Sequence, residues 1–314
     1  MAAPRLICLD TVLVDVELAI TSLPARAGDV RATSQLITTG GGFNAMSAAS
    51  RHDLDVVYAG RIGRGPFATL AMSSLAGAGI ATPLELNEDL DCGVCVVLVE
   101  PNAERTFVTA PGAESTLRAS DLAELEVNGG DIVLVSGYNV MYPDMAESVL
   151  EWLEGFGADV IVALDPATRV EDIPQQNIHR AVARATWLLC NRIEATRLSG
   201  ETDVLDAVRR LSSAHESLNI LVRSGSEGCV VAQRRKEPVV VKGFQTTVVD
   251  TTGAGDVHDG VFLAQIAQGH EPVAAARWAN AAAAMSVARF GPATSPTLSE
   301  VESFLIDALD WGAL

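Results

Sequence analysis

Residues 248–256 read VVDTTGAGD: an apolar run enters a turn that contains two glycines, and a long helical pattern follows. Such a turn can point several backbone N–H groups into one concavity, and the start of a helix adds positive potential there. It can therefore hold an anion without Lys or Arg. In that setting we expect Asp256, in the first helical turn, to accept a proton from a hydroxyl that attacks a phosphate. The alternative interpretation is a helix cap and a plain chain reversal.

Short apolar runs alternate with longer helical patterns along the rest of the chain. The apolar runs cover residues 6–14, 131–136, 159–165, 187–191 and 219–223. The helical patterns cover residues 66–77, 143–157, 203–215, 254–269, 271–289 and 297–309. Strands that are apolar on both faces are typical of a parallel sheet between two layers of helices. The pattern therefore predicts an α/β fold.

Two regions, about residues 11–39 and 91–110, have a different pattern. Within the second, the alternating residues 92–100 and 105–109 flank Pro101-Asn102-Ala103, whose residue types suit a hairpin turn. We predict that the two regions form a small β lid on the α/β body. Because no linker or internal repeat separates it from the rest, we expect a single domain over residues 1–314.

The chain has 314 residues, with 22 Lys and Arg against 40 Asp and Glu, so its formal net charge is −18. This acidity argues against nucleic acid and anionic membranes as partners, because both require clustered basic residues. No apolar stretch reaches the roughly 18 residues of a membrane-spanning helix, and Asp10 and Asp15 interrupt any signal-peptide core. We expect a soluble, cytoplasmic protein. Five scattered cysteines favour buried strand thiols over a disulfide framework or a zinc site.

The segment Asp250–Asp256 matches D-T-x-G-A-G-D, a motif of the ribokinase-like (PfkB) family of sugar and nucleoside kinases. The resemblance extends over nearly the whole chain, and Asp15 is similar to the family's Asp near the first strand. The other matching segments follow in the family's order: Gly40-Gly41-Gly42-Phe43-Asn44, Gly60-Arg61-Ile62-Gly63-Arg64-Gly65, Ala103-Glu104-Arg105-Thr106, Asp165-Pro166-Ala167-Thr168-Arg169, Asn191-Arg192-Ile193-Glu194 and Ser224-Gly225-Ser226-Glu227-Gly228. The resemblance implies a three-layer α/β sandwich with a central, mostly parallel sheet and a small β lid.

The resemblance also implies an activity: ATP-dependent phosphorylation of a primary hydroxyl of a small sugar or sugar derivative. It implies that Asp256 is the general base and that Gly253, Ala254 and Gly255 donate N–H groups to the transferred phosphoryl group. The implied substrate contacts are Asp15, Gly40, Gly41, Asn44 and Arg105. The implied nucleotide contacts are Arg169, Asn191, Ser224, Gly225, Gly228 and Asn280. Asn191 and Glu194 would hold Mg²⁺ through water, and a monovalent cation such as K⁺ would lie at Asp250, Thr252, Gly291 and Ser295, mostly at backbone carbonyls.

Several of these residues have a plainer interpretation. Arg105 and Arg169 can each pair with a surface carboxylate instead of a phosphate, and Asn191 and Glu194 can belong to a solvated helix face. His258 stands where the family usually has an aromatic residue. It can tune the pKa of Asp256, contact substrate, or simply pack beside the helix.

Other functions stay open. A nucleoside kinase of the same fold is the nearest alternative, although few aromatic residues other than Phe43 and Phe107 fall in the predicted lid. A catalytically silent sugar-binding regulator is the alternative from another class, and a homodimer through the exposed edge of the lid is a further expectation. The chain lacks G-x-x-x-x-G-K-[ST], which excludes a P-loop kinase, and the first strand enters no glycine-rich turn of the dinucleotide-binding kind.

Overall fold

The computed structural model describes residues 3–102 and 104–311. Its strands are β1 Arg5–Cys8, β2 Val12–Ala19, β3 Ser34–Gly41, β4 Asp55–Tyr58, β5 Val94–Val99, β6 Arg105–Ala110, β7 Ile132–Ser136, β8 Ile161–Asp165, β9 Trp187–Asn191, β10 Asn219–Arg223, β11 Gly228–Ala232 and β12 Val239–Lys242. Its helices are α1 Phe43–Ser50, α2 Pro66–Gly77, α3 Ala119–Ala123, α4 Gly137–Met141, α5 Pro143–Glu154, α6 Gln175–Arg184, α7 Arg192–Ser199, α8 Val204–Ala214, α9 Ala254–Ala267, α10 Pro272–Ser286 and α11 Leu298–Trp311.

The larger sheet has eight strands in the order β12-β11-β10-β9-β8-β7-β1-β4. The strands from β4 to β10 in this order run parallel to their neighbours, while β11 and β12 are antiparallel at one edge. Parallel neighbours bring their carboxyl ends to the same edge of the sheet, which is where ligands bind in open α/β folds. The predicted mostly parallel sheet is confirmed.

The core lies on both faces of this sheet because successive strand residues point to opposite sides. Leu6 and Cys8 of β1 pack in a cluster with residues of α1, α2, α9, α10 and α11. Ile7 and Leu9 pack in a second cluster with residues of α5, α6 and α8. Burial on both faces explains why the strands are apolar throughout, and the three-layer α/β arrangement follows.

The apolar run at residues 6–14 is not one strand, contrary to the prediction. It divides into β1 and β2, because the Asp10 carboxylate accepts the backbone N–H of Thr11 at 2.7 Å and the chain turns there. Each half then joins a different sheet. The division has a functional consequence, since it carries Asp15 away from the large sheet and onto the smaller one.

The smaller sheet has the strand order β3-β2-β5-β6. Its strands come from the two regions assigned to the lid, and β3 continues two residues past the predicted end at residue 39. Asp15 of β2 lies opposite Cys95 of β5 and Thr38 of β3. The predicted hairpin turn includes Ala103, which lies outside the described residues.

Among the described residues, no helix is long and apolar enough to cross a membrane. All five cysteines are free and buried, and burial raises the pKa of the Cys92 thiol to about 11. They are core thiols, as expected from the sequence.

Candidate active site

Side chains from four strands and one helix converge at the carboxyl edge of the large sheet. Asp10 follows β1, Asp165 ends β8, Asn191 ends β9 and Arg223 ends β10. Asp256 lies in the first turn of α9. The edge therefore combines acidic groups with a helix N-terminus, which is an arrangement for polar chemistry.

The glycine turn at the start of α9 has a backbone that only glycine adopts easily. Gly253 has φ of +71°, and a Cβ on it would lie 2.5 Å from the Pro292 carbonyl oxygen. The helix begins at Ala254, so the N–H groups of its first turn have no acceptors within the helix. The Ala254 N–H, one of the predicted anion donors, is directed to the Thr251 carbonyl at a long 3.3 Å. The remaining N–H groups of the turn are available to an anion.

The Asp256 carboxylate has the properties of a general base. It is half-buried, and the Asn44 amide donates to its Oδ2 at 2.9 Å. Burial raises its pKa to about 7, repulsion from Asp10 and Asp165 adds to this, and Asn44 and Arg223 oppose it. A base whose pKa lies near neutrality is ionised in a useful fraction of molecules and still takes up a proton readily.

Four of the five predicted substrate contacts, all but Arg105, lie together between the smaller sheet and the body. The Asp15 carboxylate lies so close to Gly40 that any Cβ at position 40 would clash with it. Gly41 has φ of +64° and turns the chain into α1, which places Asn44 beside Asp256. Burial and the neighbouring Glu17 raise the pKa of Asp15 to about 6. The structure thus brings together Asp15, Gly40, Gly41, Asn44 and Asp256.

Asn191 and Glu194 form a reciprocal cap on α7 instead of a solvated helix face. The Asn191 side chain accepts the Glu194 N–H at 3.0 Å, and Glu194 accepts the Asn191 N–H at 2.8 Å. Glu194 is buried, and burial together with repulsion from Asp165 raises its pKa to about 7. The Asn191 amide also donates to Glu194 Oε1 at 2.6 Å. Carboxylate and amide oxygens can contact Mg²⁺ through its bound water, so an Mg²⁺ site at these two residues stays a prediction.

The Arg105 guanidinium forms an ion pair with the Asp250 carboxylate. Its Nη2 donates to Asp250 Oδ1 at 2.7 Å and its Nη1 donates to the Thr251 hydroxyl at 3.3 Å. Asp250 also accepts the Thr252 N–H, the Thr252 hydroxyl and the Gly291 N–H. Burial alone would raise the pKa of Asp250, but these hydrogen bonds and the Arg105 charge hold it below its ordinary value.

These contacts bear on the predicted monovalent cation. Both oxygens of Asp250 already accept protein donors, and a guanidinium supplies the positive charge beside one of them. The Gly291 carbonyl accepts the Thr294 hydroxyl, and the Ser295 hydroxyl donates to the Pro296 carbonyl. These hydrogen bonds occupy the Asp250 carboxylate but do not test the backbone carbonyls, so a cation at Asp250, Thr252, Gly291 and Ser295 stays a prediction.

The predicted nucleotide residues divide into two groups. Arg169 is exposed at the carboxyl edge, where its Nε donates to Asp172 at 2.7 Å, so the pairing with a surface carboxylate is the one observed. Ser224, Gly225 and Gly228 form a tight turn, in which Gly225 has φ of +58° and the Ser224 N–H donates to the Gly228 carbonyl at 2.7 Å. A cavity of about 450 Å³ lies beside this turn, and Ser224, Arg192 and Val240 are among its lining residues.

Asn280 and His258 are buried and bonded to each other. The His258 Nε2 lies 3.0 Å from Asn280 Oδ1, and the Asn280 amide donates to the Val241 and Lys242 carbonyls of β12. Burial and the nearby Arg223 charge lower the pKa of His258 to about 3, so it stays neutral. His258 packs beside the helix, and the Asn280 side chain fastens α10 to β12, while a place for Asn280 near the adenine stays a prediction.

Sequence reasoning missed four residues of this edge: Asp10, Asp165 as an ion-pair partner, Arg223 and Asp259. Arg223 Nη2 donates to Asp165 Oδ2 at 2.9 Å and lies 3.8 Å from Glu194 Oε2, and Arg223 Nη1 contacts Asp259. One signal was present in the sequence. Arg223 is a charged residue that ends an apolar strand immediately before a glycine turn, which is a position at the binding edge of an α/β sheet.

The chain is similar to known proteins over nearly its whole length. The model of the pfkB family of carbohydrate kinases matches residues 3–298. An uncharacterized sugar kinase of Escherichia coli, YegV, is 31% identical over 294 residues, covering 92% of this chain and 90% of that protein. A ribokinase of Bacillus subtilis is 29% identical, covering 92% and 96%. The crystal structure of a ribokinase from Thermotoga maritima superposes with a TM-score of 0.83 at 24% identity, covering 97% of this chain and all of that one.

The fold and these matches define a ribokinase-like α/β phosphotransferase. The chain belongs to the pfkB family of carbohydrate kinases. The expected family, the α/β fold class and the class of enzyme, an ATP-dependent carbohydrate kinase, are confirmed.

Proposed function

We propose that the protein transfers the γ-phosphoryl group of ATP to a primary hydroxyl of a small sugar or sugar derivative. The observation that carries the proposal is the position of Asp256. Its carboxylate lies in the first turn of α9, next to the free N–H groups of the glycine turn and 2.9 Å from Asn44. A base and an anion site are therefore adjacent, as transfer of a phosphoryl group to a hydroxyl requires.

Asp256 removes the proton from the acceptor hydroxyl. The hydroxyl oxygen forms a bond to the γ-phosphorus while the bond from that phosphorus to the bridging oxygen breaks, and ADP leaves with the electron pair. The N–H groups of the Gly253–Gly255 turn stabilise the charge on the phosphoryl oxygens during transfer. Asn191 and Glu194 would hold Mg²⁺ through water, and the ion would supply positive charge beside the phosphates of ATP.

Two side chains are suited to hold the sugar. Asp15 offers carboxylate oxygens on the face of the smaller sheet that borders Gly40. Asn44 donates to Asp256, while its Oδ1 is buried and finds no donor among the described residues. A buried acceptor without a partner is costly, and a substrate hydroxyl satisfies it. Asn44 would thus hold the base and a sugar hydroxyl at the same time.

A nucleoside is the second candidate acceptor, and Phe107 is the observation that favours it. Phe107 lies opposite Val97, and Val97 lies opposite Glu17, so Phe107 is on the same face of the smaller sheet as Glu17 and Asp15. It is 61% exposed and offers a ring on which a base can stack. Phe43, the other aromatic candidate, is buried in the core and offers none.

The test is ADP release from Mg·ATP with a panel of sugars, sugar acids and nucleosides. The proposal expects stimulation by one or a few sugars. Stimulation by nucleosides alone, with a raised KM in Phe107→Ala, would establish the second candidate. If no member of the panel stimulates ADP release although calorimetry detects sugar binding, the protein is a sugar-binding regulator and the proposal is wrong.

A further inference from the structure

Arg223 is a buried cation that joins three elements of the active-site edge. Its side chain is 13% exposed at the end of β10. Its Nη2 donates to Asp165 Oδ2 at the end of β8 at 2.9 Å, and its Nη1 contacts the Asp259 carboxylate of α9. Glu194 of α7 lies 3.8 Å away. Through these contacts one guanidinium links α7 and α9 to the ends of two strands.

The guanidinium also lies against the glycine turn itself. A Cβ placed on Gly255 would be 3.6 Å from the Arg223 Cζ and Nε, which is ordinary van der Waals contact. No other side chain therefore lies between the Arg223 guanidinium and Gly255. A positive charge beside the backbone of an anion-binding turn adds to the positive potential of its N–H groups.

Global stability is a weak explanation for this cluster. Three carboxyl groups, those of Asp165, Glu194 and Asp259, surround one guanidinium, and burial raises the pKa values of Glu194 and Asp259, so the cluster is not a set of fully ionised pairs. Burying charged groups costs solvation energy that their pairing often does not recover, and apolar residues of similar volume often serve stability as well. What the pairing does supply is geometry, because the planar guanidinium fork fixes the directions of its partners.

The position of Asp259 makes that geometry relevant to catalysis. Asp259 lies on α9 three residues after Asp256, which is one helical turn further along. Holding Asp259 against Arg223 therefore fixes the rotation and height of the first turn of α9, where Asp256 and the N–H groups of the glycine turn lie.

We propose that Arg223 is a positioning residue for phosphoryl transfer, which clamps α9 through Asp259 and places its charge beside Gly255, at the turn that would bind the γ-phosphoryl group. The inference rests on the proposed kinase function. It assigns to Arg223 a role in binding the terminal phosphoryl group that the DTTGAGD motif alone does not include.

The test compares Arg223→Met and Arg223→Lys with Arg5→Met. Arg5 is the matched control, since it also pairs with a buried carboxylate, that of Asp131, but joins the amino ends of the strands. We expect Arg223→Met to lower kcat by about 10- to 100-fold with a nearly unchanged KM for the acceptor, somewhat less than the loss of a direct oxyanion donor. Lysine keeps the charge without the fork, so Arg223→Lys should retain an intermediate kcat. Arg5→Met should leave kcat unchanged.

A binding measurement keeps the inference testable without turnover. Calorimetry should find that Arg223→Met raises the Kd for ATP by about tenfold or more. The Kd for ADP, which lacks the γ-phosphoryl group, should equal that of the wild type. Equal losses of affinity for ATP and ADP, or an unchanged kcat, would overturn the proposed role of Arg223 and leave the proposed kinase function standing. Absence of acceptor-stimulated turnover in the wild type would overturn the proposed function, while the ratio of ATP to ADP affinity still decides the role of Arg223. If Arg223→Met does not fold, the same two measurements on Arg223→Lys and Asp259→Asn decide it.

Discussion

Replacing Asn44 with Ala removes the hydrogen bond that the Asn44 amide donates to Asp256 Oδ2 at 2.9 Å. This bond favours the ionised carboxylate and opposes the burial that raises the pKa of Asp256 to about 7. A hydrogen bond to a charged group is worth about 1.5–3 kcal/mol, which corresponds to roughly 1–2 pH units. Part of this is lost to solvent because Asp256 is only half-buried, so we expect the pKa to rise by about 1 pH unit.

The sign of the effect on activity follows from the role of the base. Asp256 must be ionised to accept a proton, so kcat/KM falls tenfold per pH unit below its pKa. The acidic limb of the pH profile should lie near pH 7 in the wild type and near about pH 8 in Asn44→Ala. Loss of a sugar contact lowers kcat/KM at every pH without moving the limb, so the two consequences of the substitution are separable.

The assay is kcat/KM for acceptor-stimulated ADP release between about pH 5 and pH 9. Asn177→Ala is the control, because Asn177 is also buried but donates to the Val140 carbonyl on the opposite layer of helices. Its limb should coincide with that of the wild type. An acidic limb that stays in place in Asn44→Ala would refute the argument that Asn44 sets the ionisation of the base.

Three further substitutions test other parts of the site. Gly253→Ala should abolish most activity, because a Cβ at this position would lie 2.5 Å from the Pro292 carbonyl oxygen. The control is Gly79→Ala, since Gly79 has a similar φ of +70° and no atom within 4 Å of the added Cβ. Gly79→Ala should lower the free energy of unfolding, measured by chemical denaturation, by only about 1 kcal/mol and leave activity unchanged. Arg105→Ala should make activity depend on added K⁺, because Asp250 then loses the guanidinium beside its Oδ1. The wild type, which keeps this guanidinium, should not require K⁺, and activation of the wild type by K⁺ would contradict the prediction. Asp256→Asn should raise the melting temperature at pH 8 but not at pH 4. The pKa of Asp256 is higher in the folded than in the unfolded protein, so the wild type loses stability as the pH rises between these two pKa values and the carboxylate ionises. Equal melting temperatures of the wild type and Asp256→Asn at pH 8 would contradict the raised pKa.

Much of the architecture was predictable because strongly patterned segments fold locally. The predicted helix at residues 66–77 is α2, and the predicted strands at 187–191 and 219–223 are β9 and β10. Each has a clear boundary signal, such as Pro66 at the first position of α2. The helix that follows the glycine turn also begins at Ala254 as expected, because the turn residues fix its start.

The features that were missed depend on contacts between distant segments. The turn at Asp10 interrupts an apolar run that is continuous in sequence, and only the pairing of β2 with β5 reveals it. Arg223 and Asp165 are 58 positions apart, and Arg105 and Asp250 are 145 apart. No local pattern reports such pairs. The sequence motif identified Asp256 and the anion turn, while the charges that surround them became visible only in the folded chain.

The measurement that tests the role of Asp256 most directly is phosphoryl transfer by Asp256→Asn at saturating acceptor and Mg·ATP. Asp206→Asn is the matched control, since Asp206 occupies the same third position of a helix, α8, but is exposed and pairs with Arg209. We predict that Asp256→Asn binds the acceptor with near wild-type affinity and loses about three or more orders of magnitude in kcat, while Asp206→Asn keeps both. Near-normal turnover by Asp256→Asn would show that another group takes the proton.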